Sequence, residues 1–306
     1  MTESKGVNRL YFIIVVLFVA ASLIMGRVIP IKLPVYASVL ISQAVVLVPA
    51  LLYCRIRKIS IKELIPCRKI SFSTGVLVVV TTYLMYPLMI VLNAVTLLFT
   101  NSGTASMQNE MANFSLIIST LLIAVIPACV EEFVFRGVLF QTYRKKRVFS
   151  AIMLSAFLFG CTHMNLNQFA YATVLGIYLA FLVEGTGSIL SSILAHFTLN
   201  FTGVLLTRVL KLVSGNQMVS EMQQTGKFVQ YGDEFTIMMI FGILIWFVIA
   251  IGTTTGAIAI YVYICKKNGR LEQVKAVFRK KTDERMITIP LILAVAVTVV
   301  IMVKCF

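Results

Sequence analysis

The sequence is poor in charge. Of its 306 residues only 13% are Asp, Glu, Lys or Arg, where a soluble globular chain carries about 25%. With 59% apolar or aromatic residues and a mean hydropathy of +0.95, most of the chain cannot face water. Soluble enzymes, disordered regulators and secreted disulfide scaffolds are thereby excluded. The six cysteines (Cys54, Cys67, Cys129, Cys161, Cys265, Cys305) form no CxxC or other ligand spacing. Several lie in apolar runs, where a cysteine acts as a small buried hydrophobe, and no disulfide framework is implied. Internal repeats and low-complexity segments are absent. Histidine occurs only twice.

What the chain has in abundance is long apolar runs. A spanning helix needs roughly 17–25 predominantly apolar residues, and candidates fall near 10–26, 33–53, 74–99, 114–140, 149–164, 169–184, 188–211, 235–265 and 287–303. The fifth and sixth are short, as expected of tilted or partly re-entrant segments. The predicted fold is all-α: a polytopic transmembrane helix bundle with eight or nine spans, forming one integral membrane domain over 1–306.

Lys and Arg outnumber Asp and Glu by 27 to 12. In a soluble protein that excess would point to nucleic acid, but no basic surface interleaved with aromatics accompanies it, and nucleic acid is not expected as a partner. Twenty of the 27 basic residues sit in four places, each against an apolar run: Lys5 and Arg9, the stretch 55–69, Arg144–Arg147, and the stretch 266–285. With the N-terminus inside, every strongly basic loop falls on the inner side, whereas 100–113 and 165–168 fall outside with no basic residue. This is the positive-inside pattern, reinforced by anionic lipid. No clear small-x-small cleavage site follows the first run, so it is expected to be an uncleaved span rather than a signal peptide. The stretch 269–281 places Leu271, Val274 and Phe278 on one side of a basic helix, expected on the inner membrane surface. Gly252-x-x-x-Gly256 is expected to form a close-packing helix face, and Arg208 and Lys211 to snorkel to an interface.

Charges inside apolar runs are the informative residues, because an ionised side chain at mid-bilayer costs about 2.5–3.5 kcal/mol on insertion scales. The fourth run contains Glu131-Glu132-Phe133-Val134-Phe135-Arg136. Glu132 and Arg136 are four apart and share a helix face with the acid nearer the N-terminus, the favourable order; Glu131 is rotated by about 100°. A packing ion pair accounts for Glu132 and Arg136 but leaves Glu131 without a purpose. Both histidines also lie in spans: His163 closes Phe159-Gly160-Cys161-Thr162-His163, and His196 precedes Asn200 by one turn. Measured from the inner boundary, Glu131, His163 and His196–Asn200 lie roughly 10–20 Å deep. Acid, imidazoles and amide at one depth can share a water-filled pocket.

Glu-Glu-x-x-x-Arg at 131–136, Phe-x-x-x-His at 159–163 and His-x-x-x-Asn at 196–200 resemble, in order and approximate spacing, the motifs of the CPBP (Abi) family of intramembrane proteases, which are related to the type II CAAX prenyl endopeptidase. The resemblance covers about 115–205, the expected catalytic core. It implies that Glu131 and His163 activate a water, that His196 and Asn200 face the developing oxyanion, and that Glu132 with Arg136 is the supporting pair. The sequence leaves the roles of Glu131 and Glu132 interchangeable. Two histidines and a glutamate (Glu131, His163, His196) would also suit zinc with an open fourth position, but no His-Glu-x-x-His arrangement is present, and the expectation is a hydrolase with no obligatory metal.

The expected function is an intramembrane endopeptidase acting on a membrane-associated peptide or protein, of prenylated or bacteriocin type, in a lipid bilayer expected to be the bacterial cytoplasmic membrane. Two alternatives stand beside it. One is a non-catalytic immunity or binding protein of the same fold. The other is a proton-coupled transporter using the intramembrane Glu and His, for which no inverted repeat or paired broken helices are evident.

Overall fold

The computed structural model describes residues 3–24, 33–100, 107, 110–213, 233–279 and 286–304. Among these no strand occurs; the chain is an all-α bundle. Its helices are α1 Glu3–Leu23, α2 Val35–Ile56, the single turn α3 Ile61–Leu64, α4 Phe72–Leu97, α5 Leu116–Tyr143, α6 Val148–Thr162, α7 Leu166–Thr186, α8 Ile189–Val213, α9 Asp233–Lys267, the short α10 Leu271–Ala276 and α11 Ile289–Lys304. Seven of the described helices are long and apolar enough to cross a membrane, and α6 and α11 are shorter apolar helices. These nine fall on the nine runs read from the sequence, and the chain is an integral membrane protein.

Two expectations about length need correction. The sixth run is not short: α7 has 21 residues, because polar Asn167 and Gln168 continue the helix beyond its apolar stretch. The basic helix expected over 269–281 is only six residues long, and residues 280–285 lie outside the described part. Val274 and Val277 are buried in the bundle, and Phe278 stacks on Phe181 with ring centroids 6.3 Å apart. The segment is thus docked on the body of the protein as well as being basic.

The bundle is organised around α7, which packs against α4, α5, α6, α8, α9 and α10. Its ends are set locally. The Asn165 side chain accepts from the Gln168 amide at 3.1 Å, and Gly187 closes the helix in the left-handed region with φ 70°. The α6–α7 contact is close because two positions lack a side chain. A Cβ on Gly176 would lie 2.9 Å from the Cα of Ala156, and one on Gly160 would lie 2.9 Å from the carbonyl oxygen of Phe169. The expected close face at Gly252 and Gly256 is not one: nothing lies within 4 Å of a Cβ at Gly252, and only Leu84 Cδ1, at 3.7 Å, approaches one at Gly256. Helix α9 packs on α4 and otherwise presents apolar side chains outward, Phe241, Ile245, Trp246 and Val248 among them, as a lipid-facing helix does.

Buried polar bonds lock one end of the bundle. Asn8 donates to Met286 O and Thr288 Oγ1, both at 2.8 Å, and accepts from the Tyr143 hydroxyl at 2.6 Å. Glu184, at the end of α7, is buried and pairs with Arg144 at 2.7 Å and Arg270 at 3.5 Å. Ser188 Oγ donates to Arg68 O at 2.5 Å, and Lys145 pairs with Glu3 at 2.8 Å. The basic stretches around 68, 144–145 and 270 therefore share one face with the start of α1, as the charge pattern required.

The close α6–α7 contact yields a prediction. Gly176→Ala forces backbone apart and destabilises the protein by about 1–3 kcal/mol, the usual cost of overpacking. Gly203→Ala, which would meet nothing within 4 Å, is neutral or stabilising by up to about 1 kcal/mol. Thermal unfolding of the two variants in detergent separates them.

Candidate active site

The Glu131–Glu132 pair sits on an irregular helix. Within α5, residues Leu121–Val125 and Phe133–Leu139 are π-helical and flank the α-helical turn Ile126–Glu132. Wide turns of this kind leave backbone carbonyls for other partners and recur at functional sites. Two side chains use them: Asn200 Nδ2 donates to Ile123 O, and Gln141 Nε2 donates to Arg136 O, each at 3.1 Å. Pro127 reinforces the first, since it has no N–H to give to the carbonyl four residues earlier. The break in α5 is thus what fastens α8, through Asn200, to the segment that carries Glu131 and Glu132.

Glu132 and Arg136 are fully buried and bonded at 2.9 Å, Nη1 to Oε1. The same Glu132 oxygen lies 3.0 Å from His196 Nδ1. With Nδ1–H donating to that carboxylate, the imidazole is fixed in orientation and turns Nε2 toward Glu131, whose Oε2 lies 3.8 Å away. Glu131 is the more open of the two acids, its side chain 13% exposed against none for Glu132. Its other oxygen, Oε1, accepts from Gln43 Nε2 at 3.0 Å.

Phe159 holds the group together from α6. The Arg136 guanidinium lies over its ring at 4.4 Å, and the rings of His163 and His196 meet it edge-on at 5.1 and 5.9 Å. A cation over an aromatic face is stabilised by about 2 kcal/mol or more when desolvated, which offsets part of the burial cost of Arg136. His163 caps the C-terminus of α6 and has Glu131, His196 and Arg136 as its titratable neighbours. Its ring has no hydrogen-bond partner among the described residues.

The six residues singled out from the sequence thus occupy one neighbourhood: Glu131 and Glu132 on α5 with Arg136, His163 at the end of α6, and His196 and Asn200 one turn apart on α8. Two contributors were missed. Phe159 belongs to the Phe-x-x-x-His motif, and its spacing of four from His163 was the available signal. Gln43 carries no local signal at all. Among the described residues no group of three His, Cys, Asp or Glu is disposed to hold a metal ion, Glu131, His163 and His196 as arranged included.

Residues 113–202 match the family model described as type II CAAX prenyl endopeptidase Rce1-like. The matched segment contains Glu131, Glu132, Arg136, His163, His196 and Asn200, and it supports a CAAX-type intramembrane protease. No curated protein and no solved structure matches the chain.

The buried pair gives a graded prediction. Arg136→Met leaves Glu132 uncompensated in the bundle, and removing one member of such a pair costs about 3–5 kcal/mol. Phe159→Leu keeps apolar volume but loses the cation–ring contact, for about 2 kcal/mol. Unfolding midpoints in detergent should fall in that order.

Proposed function

We propose, with the family match over 113–202 as premise, that the protein is an intramembrane endopeptidase that hydrolyses a peptide bond of a membrane-associated substrate. The observation that carries the reading is the division of labour between adjacent carboxylates. Glu132 is fully buried and its Oε1 is shared by Arg136 and His196, whereas Glu131 is partly exposed and keeps Oε2 beside His196 Nε2. A buried ion pair needs one acid; the second, held by Gln43 and facing two imidazoles, is what amide hydrolysis requires.

In this mechanism a water sits against Glu131 Oε2 and His163. Glu131 takes its proton as the hydroxide oxygen bonds to the scissile carbonyl carbon. The carbonyl oxygen becomes the oxyanion, which His196, with a proton on Nε2, and the second N–H of the Asn200 amide stabilise by donation. Glu131 then returns the proton to the amide nitrogen, the C–N bond breaks as the oxyanion collapses to a carbonyl, and a carboxylic acid and an amine leave, the acid giving its proton to the amine once in water. Glu132 acts through His196, fixing which nitrogen faces the reacting atoms, as the acid of a catalytic triad orients its histidine.

Membrane-peptide termini compared by mass spectrometry in cells expressing wild type, Glu131→Gln, His163→Ala or Asn200→Ala at matched abundance test this. Peptide ends made by wild type should vanish with Glu131→Gln and fall by about 10²–10⁴-fold with His163→Ala. Asn200→Ala should reduce them by about 10²–10³-fold. Termini identical in all four, with a wild-type phenotype retained by Glu131→Gln, would overturn proteolysis in favour of a non-catalytic membrane immunity or binding protein.

A further inference from the structure

The two ends of the bundle are not alike. At the end that carries the basic loops, buried side chains interlock: Asn8 with Tyr143 and the start of α11, Glu184 with Arg144 and Arg270, and Ser188 with Arg68. The Ile189 amide also donates to Pro66 O at 2.7 Å, drawing the 55–69 stretch across the start of α8. A cavity of about 510 Å³ does lie on that face, but it is lined by Lys58, Glu63, Gln141, Arg144, Lys145 and their neighbours, and by none of Glu131, Glu132, His163, His196 or Asn200. It stops at Gln141, nine positions along α5 from Glu132.

The opposite end holds a chamber of about 480 Å³ between the end of α4, the start of α5 and the end of α8. Tyr86, Asn93, Ala112, Tyr171, Asn200 and Arg208 are among its walls. It meets the candidate site at Asn200, while Glu131, Glu132, His163 and His196 lie beyond its lining. Asn200 and Ile123, the pair joined by the 3.1 Å bond, both line it, and His196 lies one turn below Asn200 on the same helix face. The rim is held by Arg208, which donates to Phe114 O and, at 3.0 Å, to Ser119 Oγ, and by Lys211 on Asn113. These two cations brace α8 against the start of α5 and do more than snorkel.

We infer that the substrate enters the active site through this chamber, from the membrane face opposite the basic loops. The positive-inside bias makes that face extracytoplasmic. The substrate class is then a peptide segment exposed at, or inserted into, the outer half of the bilayer. The mixed lining suits such a segment: apolar walls take side chains, and the amide and hydroxyl groups of Asn93, Tyr86 and Tyr171 meet a backbone that has left water. The inference rests on the proteolytic reading for the word substrate, but the position and accessibility of the chamber are independent of turnover.

The test uses the full chain in a bacterial host, with every native cysteine except Cys67 replaced by alanine. Cys67 is exposed in the basic 55–69 stretch and reports the opposite face. Into this background go Ala112→Cys or Ala94→Cys, both in the chamber wall, so that loss of folding in one leaves the other. A membrane-impermeant charged maleimide should label the introduced thiol in intact cells and Cys67 only after permeabilisation. The adduct at position 112 or 94 should then abolish generation of the wild-type peptide ends. Labelling of the introduced thiol only after permeabilisation, on neither side, or together with Cys67 in intact cells overturns the inference. So does full proteolysis by the labelled enzyme. If the wild-type chain generates no new peptide ends, the proteolytic reading fails, and the labelling pattern still decides the side on which the chamber opens.

Discussion

A fully buried guanidinium holds this structure together. Arg136 is the largest side chain in the bundle with no exposed surface, and a bare cation there would be prohibitive. Its surroundings offset part of that cost, although Nε and Nη2 have no hydrogen-bond partner among the described residues. Glu132 supplies the opposite charge one turn away, Phe159 lays its ring beneath the guanidinium, and the backbone of α6 comes close because Gly176 has no side chain to hold it off. His196 then finds its place as a second donor to Glu132. The chemistry attributed to Glu131 is a consequence: with its neighbour buried and paired to Arg136, Glu131 is the acid left open.

The same logic explains why α5 is irregular. A regular α-helix through 116–143 would satisfy its own carbonyls and leave Asn200 and Gln141 without partners. The π turns and Pro127 free those carbonyls at the positions where α8 must be fixed and where the inner end of α5 turns. The interlock at the basic end and the chamber at the other then give the bundle a direction.

Much of this was legible in the sequence because membrane burial makes polar residues conspicuous. Nine apolar runs became nine apolar helices, and the acids, imidazoles and amide placed at one depth are neighbours. What escaped were features that depend on which helix lies beside which. Gln43 sits on α2 with no motif to mark it, yet it donates to Glu131. Glu184 belongs to none of the motifs, and only the return of 144 and 270 to the same face shows it as a clamp between two arginines. Glycine spacing misled for the same reason. Gly252 and Gly256 have the pattern of a tight interface on a helix that mostly faces outward, whereas Gly160 and Gly176, on two different helices, form the close contact.

The central claim is that adjacent carboxylates are divided between support and chemistry, and it is tested most directly by comparing Glu131→Gln with Glu132→Gln in one detergent-purified preparation, by thermal unfolding and by peptide cleavage. The account predicts that Glu131→Gln unfolds like wild type and cleaves nothing, whereas Glu132→Gln, which leaves Arg136 uncompensated, loses about 3–5 kcal/mol of stability. A Glu132→Gln protein with wild-type stability and activity, or a Glu131→Gln protein that is destabilised yet still cleaves, would contradict it.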